Sequence, residues 1–412
     1  MNTLSLKRLS WYCNFVLLFL IVLDPTNTIF HLKDIAFVLF LITSIPFCSC
    51  KYYFVPLLFL SVYFLSFSFG LFTSQDIDFK IALQILKSFV FFVYMLWSPC
   101  GYLETFHKLF IVSIIMAIIE IAIYVICMYI PLAEVAVYAF MQSHDNTIMM
   151  SHRDFYGVRV FSVFYKTSPI LVIPLSFALV NFFKRKTLKD LFCSFIFCMA
   201  LFMSGTRANM FSCALIVFAV FIFYQFFVRK RMFIVSVLFC IFSLAFLFAT
   251  VFLLTTHETS TDMKVGHFGA FMQLFSQAPV QYTLIGAGPG ARMYTPGFGF
   301  VTAVTELTYL EFVKNYGLVQ TILIIALFLL PLLNYANNRN YDMFSKASLM
   351  IGYIAYLFIG GTNPLLVSST GVMVFTISMS MSAGNIFLQK TSTKHGKMKM
   401  MKYILQGCLL TS

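Results

Sequence analysis

Residues 108–131 read KLFIVSIIMAIIEIAIYVICMYIP, and this stretch decides the fold class. Apart from Lys108 at its start and Glu120 near its middle, it contains no charged residue. An α-helix needs about 20 consecutive apolar residues to cross the hydrocarbon core of a bilayer. The run is continuous and lacks the alternation of apolar and polar residues that strands of a membrane barrel show. It therefore predicts a transmembrane helix.

Similar apolar runs lie on both sides of this helix. Apolar residues make up 60% of the chain and charged residues only 10%, which excludes an ordinary soluble domain. Backbone polar groups in lipid need internal partners, so continuous runs predict helices. The sequence predicts an all-α, polytopic integral membrane protein, with residues 1–412 forming a single transmembrane domain of about 12 transmembrane helices. The predicted spans are 10–23, 34–49, 52–72, 81–99, 108–131, 168–183, 190–203, 208–228, 232–254, 316–334, 347–362 and 366–387.

The formal net charge is +13, and the basic residues fall mainly on one side of this topology. Cytoplasmic loops carry an excess of Lys and Arg, so both termini are predicted to be cytoplasmic and the charge does not indicate a nucleic-acid partner. The basic tail, residues 388–412, is predicted to be solvated or to bind membrane lipid headgroups. The basic residues on this side are Lys7, Arg8, Lys51, Lys108, Lys184, Arg185, Lys186, Lys189, Arg229, Lys230, Arg231, Arg339, Lys346 and the lysines of the tail.

Two loops on the opposite side are long, and we call them the first outer segment, 132–167, and the second outer segment, 255–315. The first is polar and is predicted to be a cap bounded by amphipathic pieces. The second contains a predicted short helix, 265–275, followed by a glycine-rich irregular stretch. Functional residues are expected in these two periplasmic loops.

Four arginines occur on the outer side, where positive charge is normally depleted: Arg153, Arg159, Arg207 and Arg292. A guanidinium presents a rigid fork of donors that matches phosphate oxygens in pairs. Arginines gathered around a lipid-exposed cavity would suit a membrane-bound phosphate or diphosphate. The alternative for Arg207, at the predicted outer end of a span, is a side chain that only extends to the membrane surface.

Gly286, Gly288 and Gly290 form the motif GAGPG in the second outer segment. Its backbone N–H groups suit an anion, although a plain glycine-proline turn is the simpler interpretation. Glu306 and Glu311 follow, and each is a candidate to orient a sugar hydroxyl or accept its proton. A structural ion pair with Lys314 or with an outer arginine is the alternative for these carboxylates.

The histidines of the outer segments are His144, His152, His257 and His267, and we expect solvated loop side chains, with a general base as the alternative. Their spacing does not match a zinc motif, so no metal and no other cofactor is predicted. Within the membrane, an ion pair between Lys87 and Glu120 would neutralise both charges.

The pattern resembles the O-antigen polymerase family, within the superfamily of polytopic membrane glycosyltransferases that includes the O-antigen ligases. The resemblance spans most of the chain but depends on few residues. Its matches are Gly157-Val158-Arg159 with Pro169, Ser204-Gly205-Thr206-Arg207, and the GAGPG motif followed by Glu306, Leu310-Glu311 and Tyr316-Gly317-Leu318.

This resemblance implies a metal-independent, inverting glycosyl transfer at the periplasmic face of the bacterial inner membrane, in lipopolysaccharide biosynthesis. The partner would be an oligosaccharide carried on undecaprenyl diphosphate, and a chain-length regulator protein is left open as a second partner. Arg159 and Arg207 would hold the diphosphate leaving group and offset its growing charge. Glu306 would be the base or a ligand of the acceptor sugar, so Glu306 and Arg207 are the predicted catalytic residues.

Two other functions remain open at this point. O-antigen ligases are thought to activate the acceptor with a histidine in the large outer loop, but here no histidine lies between the glycine motif and Glu306. A flippase for lipid-linked oligosaccharides would also suit twelve spans, although transporters often show repeated halves with broken helices at matching positions. The sequence therefore favours the polymerase over the ligase and the transporter.

Overall fold

The computed structural model describes residues 3–48, 53–73, 76–96, 102–144, 147–155, 158–235, 237–238, 241, 259–338 and 341–383. Within these residues the chain is mostly helical, with two small β-hairpins. The helices are α1 Thr3–Leu23, α2 Lys33–Ser44, α3 Phe54–Phe72, α4 Phe79–Val90, α5 Tyr102–Tyr129, α6 Pro131–Ser143, α7 Val172–Arg185, α8 Leu188–Met203, α9 Arg207–Phe223, α10 Thr259–Gln277, α11 Val280–Ile285, α12 Thr308–Asn337, α13 Met343–Gly361 and α14 Ser369–Ala383. The strands are β1 Ile148–Phe155, β2 Val158–Tyr165, β3 Met293–Thr295 and β4 Phe300–Thr302.

Eight helical segments among the described residues are long and apolar enough to cross a membrane. This finding indicates a membrane protein and confirms the all-α class, whereas the count of twelve spans stays a prediction. The eight segments are Leu6–Leu23, Phe54–Phe72, Phe79–Leu96, Thr105–Tyr129, Ser168–Arg185, Arg207–Val228, Thr308–Asn337 and Met343–Gly361.

The other four predicted spans are either shorter helices or lie partly or mostly outside the described residues. The run 34–49 forms a helix of 12 residues, α2, and the run 190–203 forms a helix of 16 residues, α8. Of 366–387, the helix Ser369–Ala383 is described. Most of 232–254 and the tail 388–412 lie outside the described residues.

Within the described residues the ends of α1 and α13 lie beside the starts of α7 and α12, so these connections meet at one end of the bundle. We call the end that carries the two outer segments the outer end, following the predicted topology. There Oγ1 of Thr167 donates to the carbonyl of Val22 over 2.6 Å, and Thr308 donates to the carbonyl of Asn363 over 2.6 Å. At the opposite end Lys184 forms an ion pair with Asp342.

Aromatic side chains form much of the core between the helices. Phe59 of α3 stacks on Phe92 with ring centroids 3.9 Å apart, and Phe375 of α14 lies edge-on to Phe92 at 5.6 Å and to Phe328 of α12 at 5.2 Å. Lipid tails are as apolar as these rings, so helix association in a membrane depends on such close packing. The core therefore holds α3, α12 and α14 in one bundle.

The sequence predicts a polar cap for the first outer segment. The structure shows that this segment also contains a β-hairpin, which was not predicted. Strands β1 and β2 are antiparallel, with Ile148 opposite Tyr165 and Phe155 opposite Val158. The hydroxyl of Tyr165 donates to the carbonyl of Leu23, at the end of α1. The hairpin is thereby fixed to the outer end of the bundle.

Helix α12 is broken at Gly317, where φ is 72° and ψ is 170°. The break leaves backbone carbonyl groups of the preceding turn without helical partners, and a buried carbonyl needs another donor. The N–H groups of Ala287 and Gly288 donate to the carbonyls of Lys314 and Asn315 over 2.7 and 3.1 Å. The glycine-rich stretch of the second outer segment thus supplies the hydrogen-bond donors that the helix lacks at the break.

Candidate functional site at the outer end

The turn that joins α8 to α9 contacts the β-hairpin directly. Gly205 has a φ of 60°, and a Cβ atom there would lie 2.3 Å from the Cβ of Ser162 in β2. Only glycine allows this approach and this conformation together. Ser204 is buried and accepts a hydrogen bond from Nδ2 of Asn209 over 3.0 Å. The motif Ser204-Gly205-Thr206-Arg207 is therefore a packed turn against β2.

Arg207 is the first residue of α9, and its side chain is partly exposed. Its Nη1 donates to Oγ1 of Thr261 in α10 over 3.0 Å, which connects this turn to the second outer segment. Thr206 precedes the helix without a side-chain capping hydrogen bond. Because a helix N-terminus carries partial positive charge, the helix start and the guanidinium together suit an anion such as a phosphate group.

Arg153 and Arg159 lie in the two strands of the hairpin. In the register of the strands Arg153 is opposite Val160, and Arg159 is opposite Asp154. Arg159 precedes Ser162 by three residues, which is about 10 Å along a strand. The structure thus brings the backbone at Arg159 near the turn that leads to Arg207, two regions that are far apart in the sequence.

Arg292 has a different environment from Arg207. Its Nη2 donates to Oδ2 of Asp78 over 3.0 Å, and its Nη1 lies 3.7 Å from Oδ1 of Asp76. The hydrogen bond from Arg292 lowers the pKa of Asp78, and the same bond raises the pKa of Arg292. These contacts place Arg292 at the start of α4, and two carboxylates balance its charge.

The glycine motif packs against helices, and its amides are largely used inside the protein. Gly286, Gly288 and Gly290 all have positive φ, and a Cβ on each would lie 2.5 Å, 3.2 Å and 2.6 Å from a backbone oxygen of another element. The N–H of Gly286 donates to the carbonyl of Tyr282, and that of Gly288 to Asn315. This geometry favours the turn interpretation, and anion binding by these glycines stays a prediction.

The two predicted carboxylates have unequal surroundings. Glu306 is partly exposed, and its Oε2 lies 3.8 Å from Nζ of Lys264 in α10. Glu311 is buried, and its Oε2 pairs with Nζ of Lys314 at 2.8 Å while its Oε1 accepts from the N–H of Thr305 over 2.9 Å. Glu311 therefore has the ion-pair partner that the sequence left open, whereas Glu306 is partly exposed and forms a longer ion pair with Lys264.

The environment of His267 differs from the expectation of a solvated loop side chain. His267 is fully buried, and its Nδ1 is 2.6 Å from Oγ1 of Thr295. Burial lowers the pKa of His267, since the charged imidazolium loses water. His152 is exposed and contacts Glu134 at 2.9 Å. His257 lies outside the described residues.

The predicted ion pair between Lys87 and Glu120 is wrong. Lys87 pairs with Asp34 of α2. Glu120 is fully buried and accepts a hydrogen bond from Oγ of Ser168 at 2.8 to 2.9 Å. The prediction failed because tertiary packing decides which helices face each other. Lys87 of α4 faces α2, while Glu120 faces the segment that follows β2. Among the described residues no three His, Cys, Asp or Glu side chains form a group that could hold a metal ion.

A cavity that the sequence reasoning missed lies between α4, the beginning of α12 and the turn 364–368. Its volume is about 150 Å³, and Glu311 is the predicted site residue on its wall. Gln84 and Ser88 of α4 contribute polar groups from the other side. Residues four apart share a face of a helix, so these two polar residues in an apolar run were the available signal.

Comparisons of the chain with family models, curated proteins and solved structures find no match. The resemblance to O-antigen polymerases therefore depends only on the sequence motifs given above. The geometry of the outer end is an observation independent of those motifs.

Proposed function

We propose that the chain is an O-antigen polymerase, which joins oligosaccharide repeat units carried on undecaprenyl diphosphate at the periplasmic face of the bacterial inner membrane. The observation that carries this proposal is the contact between Gly205 and Ser162. It unites the hairpin that contains Arg153 and Arg159 with the turn that presents Arg207. A lipid diphosphate needs such a set of cationic donors at the membrane surface.

In the proposed reaction a hydroxyl of the acceptor sugar attacks the anomeric carbon of the donor sugar from the face opposite the diphosphate. A new C–O glycosidic bond forms as the bond between the anomeric carbon and the diphosphate oxygen breaks, which inverts the configuration. The proton of the hydroxyl passes to Glu306, the partly exposed carboxylate of the second outer segment. Arg207 and Arg159 stabilise the negative charge that develops on the leaving diphosphate.

The burial of His267 supports the polymerase over the ligase. Ligase chemistry, as the resemblance describes it, uses a histidine of the large outer loop to activate the acceptor. His267 is fully buried in this segment and is hydrogen-bonded to Thr295. A side chain in that position does not reach an acceptor sugar, whereas Glu306 is partly exposed.

A flippase for the same lipid-linked oligosaccharide is the second candidate, and the break in α12 at Gly317 is the observation that favours it. Discontinuous membrane helices are common at transporter binding sites. Here, however, N–H groups of the glycine-rich stretch donate hydrogen bonds to the carbonyl groups that the break leaves without helical partners. The break therefore has a structural explanation that does not require transport.

The first experiment compares lipopolysaccharide ladders on gels from the bacterium that carries this gene. The gene is deleted, and wild type, Arg207→Ala, Arg207→Lys or Arg185→Ala is restored at equal protein level. We expect deletion to leave core with a single repeat unit and wild type to restore the ladder. Arg207→Ala should lower polymerisation by about 100-fold or more, the usual loss for one transition-state donor.

The variant Arg185→Ala is the matched control, because Arg185 is an exposed arginine at the opposite end of the bundle. It should restore the ladder fully. Arg207→Lys keeps the charge but loses the paired donors, so partial activity is expected. Bare core after deletion would exclude the polymerase and point to the ligase or the flippase, and an unchanged ladder would exclude all three.

A further inference from the structure

The cavity between α4 and α12 contains polar atoms that lack a partner. The side-chain carbonyl oxygen of Asn315 and the hydroxyl of Tyr316 are both buried, and neither has a hydrogen-bond partner among the described residues. Asn315 is 5% exposed and Tyr316 is 1% exposed, and both line the cavity. An unpaired buried polar group costs about 1 to 3 kcal/mol. Two of them on one cavity wall indicate a ligand that supplies the missing partners.

The orientation of the Asn315 amide is determined by its neighbour. Its Nδ2 lies 3.5 Å from Oε2 of Glu311, and a carboxylate accepts hydrogen bonds but does not donate them. The amide nitrogen therefore faces Glu311, and the oxygen is the unpaired atom. Glu311 itself is held by Lys314 at 2.8 Å. The cavity consequently presents a fixed acceptor at Asn315, which suits a hydroxyl donor.

The size and the remaining lining of the cavity restrict the ligand further. A cavity of about 150 Å³ in another protein holds benzene, so this volume suits one six-membered ring. Ile85 and Phe312 provide apolar wall, while Gln84 and Ser88 place polar groups on the opposite side. A pyranose ring has both features, apolar C–H faces and hydroxyl groups around its edge. A hydrocarbon tail would leave the polar atoms unpaired.

We infer that this cavity is a saccharide subsite that holds one pyranose ring of a bound oligosaccharide, with a ring hydroxyl donating to Asn315 and another pairing with Tyr316. The inference rests on the proposed function for its ligand class and adds a site to it. The elements that form the cavity are distinct from the turn and hairpin that carry Arg207 and Arg159. The subsite thus binds sugar rather than the diphosphate.

Saturation-transfer NMR on the purified full-length chain in detergent tests the subsite. The probes are glucose, galactose, N-acetylglucosamine and the oligosaccharide released from the host's own lipopolysaccharide. We expect saturation transfer from the wild-type chain to at least one probe. Tyr316→Phe should weaken that binding by about two- to tenfold, because it removes one hydrogen bond and keeps the ring. Asn315→Leu should abolish it.

Tyr356→Phe is the matched control. Tyr356 of α13 is equally buried, and its hydroxyl also lacks a partner among the described residues, but it does not line the cavity. This variant should bind the probe like the wild type. Both tyrosine variants should keep or raise the wild-type unfolding temperature, since neither loses an internal hydrogen bond and each loses a buried hydroxyl without a partner. A lower unfolding temperature for Tyr316→Phe alone would reveal an internal partner and overturn the inference.

The outcomes separate this inference from the proposed function. Absence of binding to all four probes, or equal binding by Tyr316→Phe, Asn315→Leu and the wild type, overturns the subsite even if gene deletion removes the ladder. Binding that depends on Asn315 and Tyr316 supports the subsite even if deletion leaves the ladder intact, in which case the polymerase proposal fails alone.

Discussion

Arg207 and Arg292 illustrate how two residues of the same type differ in their surroundings. Arg292 contacts Asp76 and Asp78, so its charge is balanced by neighbouring carboxylates. Arg207 contacts the hydroxyl of Thr261 and begins a membrane-spanning helix. Arg292 therefore holds the second outer segment on α4, whereas the binding of an anionic ligand by Arg207 stays a proposal.

The buried imidazole of His267 predicts a dependence of stability on pH. Burial lowers the pKa of His267 below the value of about 6.5 in an unfolded chain. The unfolded state then binds more protons, so the contribution of His267 is complete above about pH 6.5 and is lost as the pH falls through the folded-state pKa. We expect the unfolding temperature of the purified chain to decrease from pH 7 to pH 5.

His267→Asn should reduce this decrease, because asparagine does not titrate in that range. The matched control is His31→Asn, since His31 is exposed and has a φ of 56°, a conformation that asparagine tolerates. The control should retain the wild-type pH dependence. Unfolding temperatures are measured by fluorescence-detected thermal unfolding. If they fell equally with pH for all three proteins, protonation of His267 would not contribute to the loss of stability in acid.

At the level of elements, α12 consists of two helical pieces joined at Gly317. The glycine motif donates hydrogen bonds to the end of the first piece, and Oγ of Ser66 in α3 contacts Oε1 of Gln320 in the second at 2.6 Å. Irregular backbone at membrane depth is tolerated when protein satisfies it. The break in α12 is thus stabilised by hydrogen bonds from the second outer segment and from α3.

Substitution Gly317→Ala is expected to destabilise the chain. A Cβ at this position would lie 2.2 Å from the carbonyl oxygen of Leu284, and a φ of 72° is unfavourable for alanine. Backbone strain of this kind costs about 1 to 3 kcal/mol, before the steric clash is added. Thermal unfolding in detergent measures the loss.

Gly269→Ala provides the comparison for this change. Gly269 lies within α10, and a Cβ there would meet no atom within 4 Å. Alanine is preferred to glycine in a helix by about 1 kcal/mol, so the control should be neutral or stabilising. If both alanine variants unfolded at the same temperature, the junction at Gly317 would not be a determinant of stability.

For the whole molecule, the described connections lie at two ends of the bundle. The excess of positive charge predicts that the end without the outer segments is cytoplasmic. Cysteine labelling tests this orientation in a variant without the native cysteines. Ser276→Cys at the exposed end of α10 should react with an impermeant maleimide in intact spheroplasts. Leu188→Cys, at the exposed first residue of α8, should react only after lysis. The reverse pattern would invert the topology.

Eight of the apolar helices were predictable because hydrophobicity along one helix is a local property, as the helix Phe54–Phe72 and the predicted run 52–72 show. Partners across the bundle were not, since Lys87 with Asp34 and Glu120 with Ser168 depend on how helices rotate against each other. The hairpin was missed although β2 is rich in valine and phenylalanine, which favour strands. The candidate site was partly predictable, because the motif around Arg207 was visible in the sequence while the contact of Ser162 with Gly205 was not.

The attachment of the second outer segment to α4 also constrains the order of events during biosynthesis. Arg292 and Asp78 are separated by 214 positions in the chain, which a ribosome at 5 to 20 residues per second covers in about 10 to 40 s. For most of that interval α3 and α4 are already made, but the glycine-rich loop and the broken helix that pack against them are not. The contact between Arg292 and Asp78 therefore forms only after most of the chain has been made, and a nascent chain that stops before residue 292 lacks it.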